Sequence, residues 1–216
     1  MNNDELQLDL LPDFDFEDDR LAHQAQLRQA SAVRTRARIH ARRAKSEAHL
    51  SEILPAMIDE GDAWHVLTSG DVDSLSFLAH LLAATPMDYV AFSTWCMAGE
   101  DVARLAAWLT EGRIGRFDAY VGEIFPNQYC EEHAALCAAV RIGGGRVCVF
   151  RNHAKIYLCR AGKRTWTIES SANINTNPRT ENTVITADAA LYAHHLAYYS
   201  AVRSFNRDFD HWTPPG

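Results

Sequence analysis

The residues best suited to chemistry lie between His153 and Asn182. The stretch opens with His153-Ala154-Lys155, continues through Ser170-Ser171-Ala172-Asn173 and closes on Arg179-Thr180-Glu181-Asn182. In a strand, residues i and i+2 share a face, so His153 looks out with Lys155 and Ser171 with Asn173. The apolar runs around them, Val147 to Phe150 and Ile156 to Leu158, have the pattern of buried strands. Ala161-Gly162-Lys163 fits a three-residue hairpin loop with Gly at positive φ, and a loop centred on Gly162 sets His153 opposite Ser171. An imidazole, an ammonium, a hydroxyl and a carboxamide then converge. Such a patch binds an oxyanion and keeps a nucleophile beside it.

This set resembles the signature of the phospholipase D superfamily, His-x-Lys followed by Gly-Ser-x-Asn, with the downstream Glu-Asn pair of its small nucleases. The matching positions are His153, Lys155, Ser171, Asn173 and Glu181-Asn182. Two positions depart from it: Arg160 stands where the family carries Asp five residues after the Lys, and Ser170 replaces the Gly. The resemblance implies a phospholipase D-like half-domain and a metal-independent phosphodiesterase without a cofactor. Phosphodiester cleavage needs a nucleophile, an acid for the leaving oxygen and positive charge on the non-bridging oxygens. By resemblance, His153 is the nucleophile and forms a phosphohistidine. Lys155, Asn173 and Ser171 hold the phosphoryl oxygens, and Glu181 accepts from the other ring nitrogen of His153. The signature occurs once, and the family's single-repeat members complete their site by dimerising. A homodimer with a composite site follows, the second His153 acting as general acid.

The elements around the motif alternate. Strands are expected at Trp64 to Leu67, Tyr89 to Thr94, Phe117 to Val121, Arg146 to Phe150 and Thr183 to Thr186. Helices are expected from Ser46 to about Glu60, Leu75 to Ala84 (capped by Asp73 or Ser74), Glu100 to Leu109, Tyr129 to Val140 and Asp188 to about Phe205. This order predicts an α/β fold, a mixed sheet with helices on both faces, preceded by a helical basic arm.

With 216 residues, 47% of them hydrophobic, the chain can bury one sizeable core. No apolar run reaches the ~20 residues of a membrane span, and the acidic first twenty residues do not read as a signal peptide. Five cysteines in apolar patterns read as reduced core residues of a cytoplasmic protein. The net charge of −7 conceals an asymmetry: residues 1–19 hold eight acids and no base, and residues 20–45 hold eight bases and no acid. Three segments are expected: an acidic tail at 1–18, a basic helical arm at 19–45 and the catalytic domain at 46–216. Arg34, Arg38, Arg42 and Lys45 form a stripe on one helix face, suited to nucleic-acid backbone.

Other arrangements are weaker. Cys130, His133 and Cys137 share a helical face but lack a fourth metal ligand at convincing spacing. Gly143-Gly144-Gly145 follows a helix instead of opening one, which suits a turn better than a phosphate cradle. His194 and His195 have no carboxylate at ligand spacing. Ser171 with His153 could be a serine-hydrolase pair, but no nucleophile elbow surrounds it. The leading function is cleavage of DNA or RNA, without contact to a membrane. The alternatives are a catalytically inactive nucleic-acid-binding dimer of the same fold and a phospholipase or phosphatidyltransferase.

Overall fold

Runs of Val, Ile, Tyr and Phe bounded by Gly, Asp and Asn build seven strands, as β-branched and aromatic residues favour. A computed structural model describes residues 32–174 and 179–216, with side chains from Arg43 onward. The helix α1 (Ala32–Ile53) leads to β1 (Ala63–Thr68), α2 (Ser74–Ala84), β2 (Met87–Thr94) and α3 (Gly99–Thr110). There follow β3 (Ile114–Gly122), the short α4 (Phe125–Gln128), α5 (Cys130–Ile142), β4 (Val147–Phe150), β5 (Ile156–Ala161), β6 (Arg164–Ser170), β7 (Glu181–Thr186) and α6 (Ala189–Ala201). The chain divides at Arg42, and Arg42–Gly216 forms one unit containing the sheet. The expected acidic tail and the beginning of the arm lie outside the described residues, as do the side chains of Arg34, Arg38 and Arg42.

The sheet runs β1-β7-β6-β5-β2-β3-β4. β2, β3 and β4 are parallel, and every pairing from β2 through β5, β6 and β7 to β1 is antiparallel. One face packs Leu50 of α1 and Leu54 just after it, Leu75, Leu78 and Leu81 of α2, Val102 and Leu105 of α3 and Leu136 and Val140 of α5 against Phe92, Phe117, Trp166 and Ile185. The other face is covered by α6, whose Tyr192 and Tyr199 meet Tyr89, Tyr120 and Leu158. The expected mixed α/β sheet with helices on both faces is present, and the two faces are unequally clad.

Several boundaries differ, each for a local reason. The first helix stops at Ile53 instead of Glu60, because Pro55 disfavours helical backbone before it. The last helix ends at Ala201, short of Phe205, where the chain turns to run along β4: Phe205 N donates to Val149 O at 2.7 Å. Asp73 and Asp188 both occupy N-cap positions, but only Asp188 caps through its side chain, accepting from Leu191 N at 2.7 Å. The hairpin loop has two residues, not three: Ala161 pairs with Arg164, and Gly162 takes φ of 59°. That slip of one residue matters for the motif, since Lys155 O now accepts from Ser170 N at 2.9 Å and His153 is not directly opposite Ser171.

Candidate active site at one end of the sheet

The strand directions gather the motif. The carboxyl ends of β2, β3 and β4 point to one end of the sheet, where binding crevices of such sheets form. Antiparallel pairing brings the start of β5, the end of β6 and the start of β7 to the same end. His153 and Lys155 precede β5, Ser171 and Asn173 follow β6, and Glu181 opens β7. His153 and Lys155 thus sit in a connection instead of within the strand expected from the sequence.

Asn152 fixes that connection. Its buried carboxamide donates to Thr94 O and Tyr120 O, both at 3.0 Å, and accepts from Ala154 N at 3.1 Å. Ser93 Oγ lies 3.1 Å from both Asn152 Oδ1 and Ala154 O. The peptide carrying His153 is therefore tied to the ends of β2 and β3. Trp95 forms a second support, its ring centroid 5.6 Å from that of His153 and tilted by 54°. Gly122, ending β3, makes room for it: a Cβ there would lie 2.5 Å from Trp95 Cδ1.

Lys155 is buried, with 7% of its surface exposed, while His153 is exposed. The Lys155 ammonium donates to His153 O at 2.7 Å and lies 2.8 Å from Nδ1 and 3.3 Å from Nε2 of the same residue. Burial lowers the Lys155 pKa, and the nearby Cys96 and Glu181 oppose that shift. Glu181 is thereby in electrostatic reach of Lys155. Its Oε2 accepts the Ser171 hydroxyl proton, and Ser171 Oγ in turn accepts from Asn182 N at 3.0 Å. The carboxylate expected on the imidazole is thus engaged with Ser171, while the imidazole is held by Lys155.

Asn173 is half-buried, and its Oδ1 is shielded without a hydrogen-bond partner among the described residues. Its neighbours anchor it. Ala172 N donates to Ser170 Oγ at 3.1 Å, Ile174 N to Thr94 Oγ1 at 3.3 Å, and Ile174 O accepts from Ala98 N at 3.0 Å. The site therefore comprises an ammonium–imidazole pair, a hydroxyl–carboxylate pair and a carboxamide on one rim. It can attract an oxyanion, and it carries an exposed imidazole beside the attracting charge.

Both departures from the motif have structural explanations. Arg160 sits near the hairpin end of β5, about 16 Å along the strand from Lys155 at ~3.3 Å per residue, over Tyr89 and donating to Gly216 O. Ser170 takes the glycine position and bonds Thr183 Oγ1 at 2.8 Å. Of the expected arm residues, Lys45 is exposed on α1. Arg43, outside the stripe, is instead buried in an ion pair with Asp101 at 2.5 Å. Asn152 and Trp95 escaped the sequence reading, although Asn152 directly precedes the motif histidine and Trp95 directly follows an apolar strand. Cys130, expected in the core, is exposed, whereas the other four cysteines are buried; Cys137 Sγ lies 3.7 Å from His133 Nε2.

No protein-family model matches the chain, and neither does any curated protein. Among solved structures, it is similar to the polyphosphate kinase from Porphyromonas gingivalis, with a TM-score of 0.51 and 19% identity over 79% of this chain and 29% of the kinase. It also matches the phosphatidylserine synthase of Haemophilus influenzae Rd KW20, at a TM-score of 0.41 and 13% identity over 63% of this chain and 37% of the synthase. The chain spans less than a third of the kinase's length. The likeness to the kinase extends over most of this chain and shows that the two share an α/β fold.

Proposed function

We propose that this protein is a phospholipase D-type phosphodiesterase that cleaves nucleic acid through a phosphohistidine on His153, in a homodimer. The observation that carries the reading is the buried Lys155 ammonium seated against the exposed His153 imidazole. An ammonium held partly out of water attracts a phosphoryl oxygen more strongly than a solvated one. An arriving phosphodiester competes for the Lys155 hydrogens and releases the ring to attack phosphorus. Ser171 and Asn173 add hydrogen bonds to the same oxygens, and Glu181, in reach of Lys155, balances the positive charge as the imidazole becomes covalently loaded. In-line attack puts nucleophile and leaving oxygen on opposite sides of phosphorus, so a second His153 from a twofold partner serves as the acid.

Nucleic acid is the substrate favoured by the basic arm, where eight bases stand without an acid between residues 20 and 45. Among the described residues, no helix is long and apolar enough to cross a membrane. The test is incubation with labelled single- and double-stranded DNA, RNA and a phosphatidyl lipid in excess chelator, with His153→Asn alongside. Cleavage of a nucleic acid by the wild type alone supports the reading. Binding without cleavage would identify an inactive nucleic-acid-binding dimer, and lipid turnover a phosphatidyl-transferring enzyme.

A further inference from the structure

The beginning of β4 borders a second charged feature, away from the His153 end of that strand. A cavity of about 310 Å³ lies between Arg146–Val147 and the segment from Val202 to Trp212. That segment is fixed to the β4 edge: Phe205 N donates to Val149 O at 2.7 Å, and Val149 N donates to Ser204 Oγ at 2.9 Å. Arg146, Arg203 and Arg207 line the cavity with Ser204 and Asp210.

Arg146 is 8% exposed and permanently charged. Its guanidinium donates to Tyr199 O at 2.8 Å and Tyr120 Oη at 3.2 Å, lies 3.6 Å from the Trp212 ring centroid, and leaves Nε without a partner. All of these partners are neutral. Among the described residues, no carboxylate forms an ion pair within 4.0 Å with the guanidinium of Arg146, Arg203 or Arg207. The buried Asp118 carboxylate lies behind the cavity wall, accepting from Arg146 N, Trp212 Nε1 and Tyr89 Oη and not from a guanidinium. Three guanidinium groups line the cavity with one carboxylate, Asp210; Arg203 and Arg207 are exposed at its rim, and Arg146 is buried, where a charge without a direct counter-ion is costly.

We propose that this cavity is a binding site for a phosphate-bearing anion, distinct from the His153 site. Its volume lies at the lower end of the roughly 300–1,000 Å³ of small-molecule sites, which suits a phosphate or diphosphate group and excludes a duplex. The group comes either from a free phosphate ester or from a nucleic-acid backbone held at a second point.

The test titrates the full chain with pyrophosphate by calorimetry, while NMR follows the Trp212 indole N–H, which Asp118 accepts. A Lys155→Met background removes the phosphate-attracting ammonium of the other site. One diphosphate per chain is expected to bind in that background and to shift the Trp212 resonance. Arg203→Gln with Arg207→Gln should weaken binding at least about tenfold, the size expected for two charge-assisted contacts at an exposed rim. Asp210→Asn should tighten it. A single-stranded oligonucleotide that displaces pyrophosphate and moves the same resonance assigns the source to a backbone; failure to displace assigns it to free phosphate esters. Unchanged affinity in the double arginine variant, or no binding at millimolar pyrophosphate in the Lys155→Met background, would overturn the proposal.

Discussion

Replacing Asn152 by alanine should loosen the turn that carries His153 more than any other single change outside the motif. The carboxamide is buried and uses its full capacity, with two donated bonds to Thr94 O and Tyr120 O and an acceptor shared by Ala154 N and Ser93 Oγ. Alanine strips partners from two carbonyls and one amide, at about 1–3 kcal/mol for each group left unsatisfied. Ser93 still has Ala154 O, the carbonyls have second lone pairs, and water can enter from the exposed His153 side, which places the total at roughly 2–4 kcal/mol. With a urea m-value of about 2 kcal/mol/M, the unfolding midpoint should fall by ~1–2 M. Turnover should fall at temperatures where the variant is still folded, because only Lys155 and Trp95 then orient the imidazole. A loss below about 1 kcal/mol with unchanged turnover would show that the turn is held by other contacts and refute the reasoning.

His153→Asn should keep the fold and lose turnover by several orders of magnitude, as other nucleophile replacements do; chelator-resistant wild-type activity belongs to the same expectation, and strict dependence on added magnesium would contradict the covalent route. Gly122→Ala should displace Trp95, since the new Cβ would lie 2.5 Å from Cδ1 and 2.8 Å from the Trp95 carbonyl oxygen; about 1–3 kcal/mol of stability should go with it, together with a fall in kcat, read by denaturation and steady-state kinetics. Burial pushes the Asp101 carboxyl up to about 7 against the opposing Arg43 guanidinium, from an ordinary 3.8. The folded state then binds a proton that the unfolded state has lost, so stability from this group is greatest below about pH 4 and declines as pH rises toward 7; wild type should lose ground across that window to an Arg43→Met/Asp101→Leu variant, and parallel pH profiles would refute this. Deleting residues 1–45 should reduce the slope of log affinity against log salt by roughly 3 to 4 if the four stripe residues each meet a phosphate.

The alternation of apolar strands and helices was legible because burial writes itself into periodicity; six of the seven strands could be given approximate ranges, and β6 was implied only as the second arm of the hairpin. The motif residues were legible by type, since their chemistry is unusual in a buried hairpin. Their pairing was less so. Register depended on whether Ala161 belonged to the loop or the strand, and a one-residue change there separates His153 from Ser171 and joins Lys155 to Ser170. Asn152 acts through β2 and β3, 58 and 32 positions before it, and Trp95 through the distant His153, so no local spacing marks them. Arg43 differs from its arm neighbours only through Asp101, 58 positions distant.

The pairing of β1 with β7 sets the order in which the protein can be completed on the ribosome. Thr68 sits opposite Glu181, and its hydroxyl reaches Glu181 O across a separation of 113 residues. At about 5–20 residues per second, β1 waits roughly 6–23 s after its own synthesis for a partner strand to exist. β2, β3 and β4 can associate meanwhile through nearby parallel crossovers, but the carboxylate of the site arrives only with β7. Nascent chains should therefore pass through a state with an organised β2–β3–β4 core, an unpaired β1 and no functional site. The long closure makes β1–β7 docking a slow step in folding, and chaperone recruitment should concentrate on the β1 segment until Glu181 has emerged.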